Sequence, residues 1–286
     1  MNKTITTFLA AISIVASPAA LAITIGGVDF GPLGEDPSRT HLETATLAQT
    51  FVGGNGQNAT AYGSITAVNG DTTYCADGSS NCGLYYVANF NNSQNFSSSY
   101  VEFTDATVSV FFSNSARINL LVNDSPTNLA AIRGINGGNP WVTLTGHNNL
   151  GGIADPSAVL NGAGLFTGST LSGAGFGLFD VTGPGDASII NFLNANGVLD
   201  AAGNPTDIAL TSSFNNFVLN PADVANGFSN GCANGTASAG AWCYQGTANL
   251  RGSTEITQVP EPGMLALVGI GLLGFSRGDK PPGFHW

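Results

Sequence analysis

The chain has 286 residues, 43% hydrophobic and only 9% charged, against about a quarter charged in ordinary globular proteins. That is enough apolar material for a sizeable core, and it excludes a charge-driven disordered chain and a coiled coil. With 7 Lys+Arg against 18 Asp+Glu the formal charge is -11, which excludes nucleic-acid binding because few cations are present to displace counterions from phosphate.

Residues 1–22 read as a secretory signal peptide. Lys3 supplies the positive start, Phe8 to Ala16 the apolar stretch, Pro18 the break, and Ala20-Leu21-Ala22 the small-x-small cleavage site. The apolar run is too short to span a bilayer. Residues 23–258 then form one secreted β domain without a lysine. Period-two alternation recurs along it. Tyr62–Val68, Leu84–Asn89 and Tyr100–Phe103 are predicted strands, with turn-forming Gly, Asn, Asp and Pro between them. Val108, Val110 and Phe112 alternate with Thr107, Ser109 and Phe111. After Ser113-Asn114-Ser115, Ile118, Leu120 and Val122 read as the return strand of a hairpin. Trp141–Thr145, Asp207–Phe214 and Gly246–Ile256 continue the series. Gly151 to Asp186 is glycine-dense; Gly173-Ala174-Gly175-Phe176-Gly177 misses the nucleotide fingerprints, so a loop or a bent strand pair is expected there. One helix is predicted, N-capped by Asp186, with Ile189, Ile190 and Leu193 on one face and Asn196-Gly197 closing it. Many short strands with one short helix predict an all-β fold, an antiparallel β-sandwich or jelly roll. A parallel β-solenoid is the alternative, without a fixed repeat to support it.

Four cysteines in an exported chain imply disulfides. Three pairings exist; local closure of Cys75 with Cys82 and of Cys232 with Cys243 is the simplest. Catalytic chemistry finds little support. His147 could serve a hydrolase with Ser172 or Asp155, but no G-x-S-x-G elbow places a nucleophile. Glu35, Glu43, Glu102 and Glu255 form no readable acid–base pair. No cofactor is implied. Ca²⁺ is a softer candidate at Asn69-Gly70-Asp71, Asp77-Gly78 and Asp124, where Asx-Gly steps also make ordinary turns. Aromatic residues beside asparagines suggest a glycan surface, with Trp141, Trp242 and Tyr244 as candidates and Tyr85 and Tyr86 behind them. The competing reading is that these rings are core.

After polar Arg251 to Gln258 comes Val259-Pro260-Glu261-Pro262. The two prolines hold the chain extended and accessible. Gly263 to Phe275 then reads as an apolar helix of about 20 Å, short for the roughly 30 Å of bilayer hydrocarbon. Arg277 follows. This tail, 259–286, resembles the PEP-CTERM sorting signal of Gram-negative bacteria, although Pro281 to Trp286 depart from the family's arginine-rich ending. The resemblance implies recognition by an exosortase-type membrane protease, transient inner-membrane anchoring, and delivery to the cell surface or extracellular matrix. It also implies a link to exopolysaccharide, biofilm or floc formation. The resulting expectation is a non-enzymatic surface or matrix protein, with a lectin-like module and a secreted hydrolase as alternatives.

Overall fold

In the computed structural model, which describes residues 23–31, 39–115, 117–167 and 170–252, the longest alternating runs become the longest strands. β1 (Thr24–Ile25) and β2 (Val28–Asp29) make a small hairpin. Four antiparallel neighbours follow: β3 (His41–Thr50), β4 (Ala59–Val68), β5 (Gly83–Ser97) and β6 (Tyr100–Ser113). In β6, Val108 and Val110 are buried on one face and Phe111 on the other. β7 (Val142–His147) and β8 (Leu160–Thr167) share one position: β7 pairs with Thr107–Val110 of β6, and β8 with Tyr100–Phe103. Both also pair with β9 (Thr170–Val181). After the short pair β10 (Val198–Leu199) and β11 (Pro205–Thr206), β12 (Ile208–Asn215) lies between β9 and β13 (Trp242–Arg251). β13 then pairs with β3 and closes the circle.

The sheet is therefore an up-and-down antiparallel barrel in which nine strands fill eight positions. The expected all-β, antiparallel character is present; the two-sheet sandwich or jelly roll, and the solenoid alternative, are replaced by closure. Alternation assigns an inner and an outer face to each strand but does not say how the last strand finds the first. The closing pairs, such as Leu250 with Leu42 and Ile208 with Phe179, are distant in sequence. Closure also needs sharp local bending, and glycine supplies it. Register shifts occur along β3–β4 and β13–β3 near Gly63 and Gly246. A Cβ on Gly63 would lie 1.9 Å from the Ala45 carbonyl oxygen, and one on Gly246 2.0 Å from that of Ser213. Only glycine allows strands to approach so closely.

The Gly-dense region forms β8 and β9, an antiparallel strand pair and not a loop. The predicted return strand Ile118–Val122 does not form. It leaves the wall, the Ile118 N–H donates to the Tyr85 hydroxyl at 2.6 Å, and Leu120 packs on the outer face of the barrel with Tyr62 and Ile132. Apolar residues 118 and 120 meet that outer face, which β5 and β6 left uncovered. Three α-helices occur among the described residues where one was expected. α1 (Ser125–Arg133), capped by Asp124, covers this outer cluster, and α3 (Pro221–Ala225) docks on it through Asp223, which accepts from the Ser125 N–H at 2.7 Å. α2 (Ala187–Leu193) is the predicted helix. Asp186 accepts from the Ser188 and Ile189 N–H groups as expected, but the helix ends at Leu193, before Asn196-Gly197.

One end of the barrel is sealed. Phe30, after the β1–β2 hairpin, stacks 6.3 Å from Trp141 and lies 4.8 Å from Phe192 of α2, with Ile189 and Leu193 buried beside them. The Cys75–Cys82 disulfide ties the β4–β5 connection to this floor, where Val28 bridges Cys75. No helix among the described residues is long and apolar enough to cross a membrane; the expected signal peptide and the apolar tail helix lie outside them.

Candidate functional site: a cavity inside the barrel

An eight-stranded barrel is just wide enough for its inward side chains to fill it, or to hold one small ligand. Which outcome results depends on the size of those side chains. Here many are small. Ala61, Ala88, Ala248 and Ser212 face inward, and on β8 and β9 Gly162, Gly164 and Gly175 offer no side chain at all. The missing atoms leave a cavity of about 810 Å³ that opens at the end opposite the floor. Pockets of this size enclose a drug-sized molecule. Larger apolar groups, among them Ile65, Phe90, Val110 and Leu250, line the rest.

Hydroxyls punctuate the wall. Tyr86 and Thr46 bond each other at 2.5 Å; burial pushes the Tyr86 hydroxyl up to about 12, against the opposing pull of Thr46 and Thr44. Nearer the mouth Tyr244 lies between Phe51 and Phe214, at ring distances of 6.1 and 5.9 Å, and burial raises its hydroxyl to about 12 as well. Both tyrosines are therefore neutral at any physiological pH. The mouth is formed by residues 51–58, 98–99 and 228–241, the last held by the Cys232–Cys243 disulfide; these segments contain no Asp, Glu, Lys, Arg or His. Both disulfides thus follow the local pairing, one at each end of the barrel.

The other candidate residues are dispersed. Trp141 is buried in the floor, its Nε1–H donating to the Gly26 carbonyl at 2.9 Å. Trp242 is buried on the opposite side of the wall from the cavity, edge-on to Tyr62. Neither shows a ring face to solvent, and of the three glycan candidates only Tyr244 lines a cavity. Tyr85 is buried outside the barrel wall and Tyr86 inside it. At the Ca²⁺ candidates, Asp71 accepts from the Thr73 N–H, Asp77 from the Ser79 N–H, and Asp124 caps α1.

Two carboxylates do meet His147, but they are Asp180 and Asp200, not Asp155. Asp180 lies 2.9 Å from Nδ1 and Asp200 3.2 Å from Nε2. Ser172 stands toward the other end of β9 from Asp180. Burial disfavours the imidazolium, yet the two carboxylates outweigh it and raise the His147 pKa. Asp200 is held well below the usual range: against its own burial it gains Asn204, His147 and Asn149 as partners. With both ring nitrogens occupied, His147 is clamped between two carboxylates, which favour its protonated form. Glu102 is likewise saturated, accepting from the Tyr100 hydroxyl, the Asn95 amide and the Ala154 N–H at 2.6, 2.6 and 3.0 Å. Glu43 is half-buried, 3.8 Å from His41. Glu35 and Glu255 lie outside the described residues.

The cavity was not foreseen from the sequence. Its signal was present as glycine in alternate positions of an otherwise strand-like run, Gly162 with Gly164 and Gly173 with Gly175 and Gly177.

A further signal lies in a segment outside the described residues. Residues 258–278 match the PEP-CTERM protein-sorting motif. The chain carries a PEP-CTERM sorting signal. The match contains Val259, Pro260, Glu261, Pro262 and Arg277. A PEP-CTERM protein is exported, held transiently at the membrane and processed by an exosortase. No curated protein and no solved structure matches the chain.

Proposed function

We propose that this PEP-CTERM protein is a non-enzymatic binding protein that holds one small apolar molecule inside its barrel. It works at the cell surface or in the extracellular matrix, in association with exopolysaccharide. The observation that carries the binding role is the open cavity, built from small residues where larger ones would fill the barrel. A cavity of about 810 Å³ left empty would forfeit packing that neighbouring strands achieve elsewhere. The sorting tail supports the destination.

The test uses the exported protein and N-phenyl-1-naphthylamine, a neutral dye that fluoresces in apolar surroundings. One dye per chain is expected. Gly162→Leu should remove the binding without unfolding the barrel, since a Cβ there meets Val101 at 3.6 Å, an ordinary contact. Equal dye binding by wild type and Gly162→Leu would place the dye outside the cavity and defeat the reading. Retention on the producer's own polysaccharide that weakens little with salt would support the matrix role, because an acidic chain and a neutral glycan share few ion pairs to screen. For the tail, replacing Pro260-Glu261-Pro262 by alanines should leave the chain membrane-bound and uncleaved in a host with an exosortase. Processing like wild type would refute its role as the recognition element.

A further inference from the structure

The cavity is apolar, and it is also free of charge. None of its lining residues is Asp, Glu, Lys, Arg or His. Mouth segments 51–58, 98–99 and 228–241 add none, so a charged group would find no counter-ion among these described residues either. Ile65 and Leu250 lie toward the floor, and the Thr46–Tyr86 pair satisfies itself within the wall. Toward the mouth Tyr244, Gln49 and Asn216 add polar groups beside the rings of Phe51 and Phe214. From Tyr244 to Leu250 the strand runs about 20 Å, or about 15 Å of depth at the usual barrel tilt.

Burying an ion without a partner is so costly that the group neutralises instead. A fatty acid entering this barrel would have to bind as its protonated form. A neutral chain of the same length has no such requirement, and its one polar group can remain among the hydroxyl and amide groups at the mouth. We propose that the barrel selects an elongated, electrically neutral apolar molecule with a hydroxyl or carbonyl end held at the mouth, and rejects the corresponding carboxylate. This deepens the binding role proposed above and rests on it.

The experiment measures displacement of N-phenyl-1-naphthylamine from the exported protein at pH 8 by 1-dodecanol, methyl dodecanoate and dodecanoate. These share a chain and differ in the head. The alcohol and the ester should displace the dye. Dodecanoate, ionised almost completely at that pH, should be weaker by about 100-fold or more. Gln49→Arg, which supplies a cation at the mouth, should improve dodecanoate by about tenfold through a charge-assisted hydrogen bond. Comparable displacement by all three in wild type overturns the selectivity while leaving the cavity a binding site. Dye binding that none of the three displaces overturns it too. Absence of dye binding brings down the binding role itself, and this inference with it.

Discussion

At the floor of the barrel Phe30, Trp141 and Phe192 pack over Ile189 and Leu193, with charge kept to the periphery. Arg117 there donates to the Cys82 and Thr72 carbonyls and lies over the Tyr74 ring. At the mouth, segments 51–58, 98–99 and 228–241 are rich in Gly, Ser, Asn and Ala and carry no charged residue. Each end has one disulfide, so the cross-link is not what separates them. The difference is in what the side chains do with interior space. The floor fills it with rings and seals the barrel; the mouth half withholds side chains and leaves a volume. Stability should therefore reside at one end and binding at the other.

The largest effect that would break this contrast is at the floor. Trp141→Ala should cost about 3–5 kcal/mol in urea unfolding, the range for deleting a large buried aromatic. A cost below about 1 kcal/mol, the level of an ordinary surface change, would mean the floor does not hold the barrel. The two cysteine pairs sharpen the comparison. Each closes a short loop, so Cys75→Ser with Cys82→Ser, and Cys232→Ser with Cys243→Ser, should each lose about 2–3 kcal/mol in the chain-entropy model. Only the second pair, which borders the cavity, should also speed dye dissociation in stopped flow. Equal dissociation in both would remove the division of labour.

The smallest effect concerns the wall between the ends, where His147 is clamped. Its folded pKa is raised, so its contribution is complete below the ordinary value of 6.5 and is lost as pH rises through the raised value. Asp200 has a depressed folded pKa, so its contribution is present above 3.8 and is lost as pH falls toward the folded value. The clamp is therefore strongest between those two reference values. Thermal melts of wild type should lose stability on going from pH 6 toward pH 8 relative to His147→Gln, which lacks the titrating ring. Parallel profiles would show that His147 is not the charged centre of the clamp.

Local features of this chain could be read without its structure, because each is decided within a few residues. Asp186 caps α2 because its carboxylate reaches N–H groups two and three residues on. Cys75 and Cys82, or Cys232 and Cys243, are close enough in sequence to close small loops. Val108 and Val110 share a face because strand side chains alternate. The sorting motif is likewise contiguous. The errors have the opposite character. Ile118–Val122 alternates as a strand would, yet its apolar residues are claimed by the outer wall beside Tyr62 and Tyr85. Trp141 and Trp242 look like a sugar platform until the strands that bury them are in place.

What the amino-acid order determined alone is therefore the C-terminal sorting motif, the antiparallel β character and the pattern of inward and outward residues. Tertiary structure alone decided that the sheet closes and that the barrel is hollow. Closure depends on contacts such as Leu42 with Leu250, whose partners are at opposite ends of the domain, and no local propensity encodes which distant edge a strand will meet. The cavity depends on the same closure. A glycine in an open sheet is only a weak point, whereas Gly162, Gly164 and Gly175 facing Ala61, Ala88 and Ala248 across a closed wall become a space. That space belongs to no single residue, and it exists because the barrel fixes a width that small side chains cannot fill.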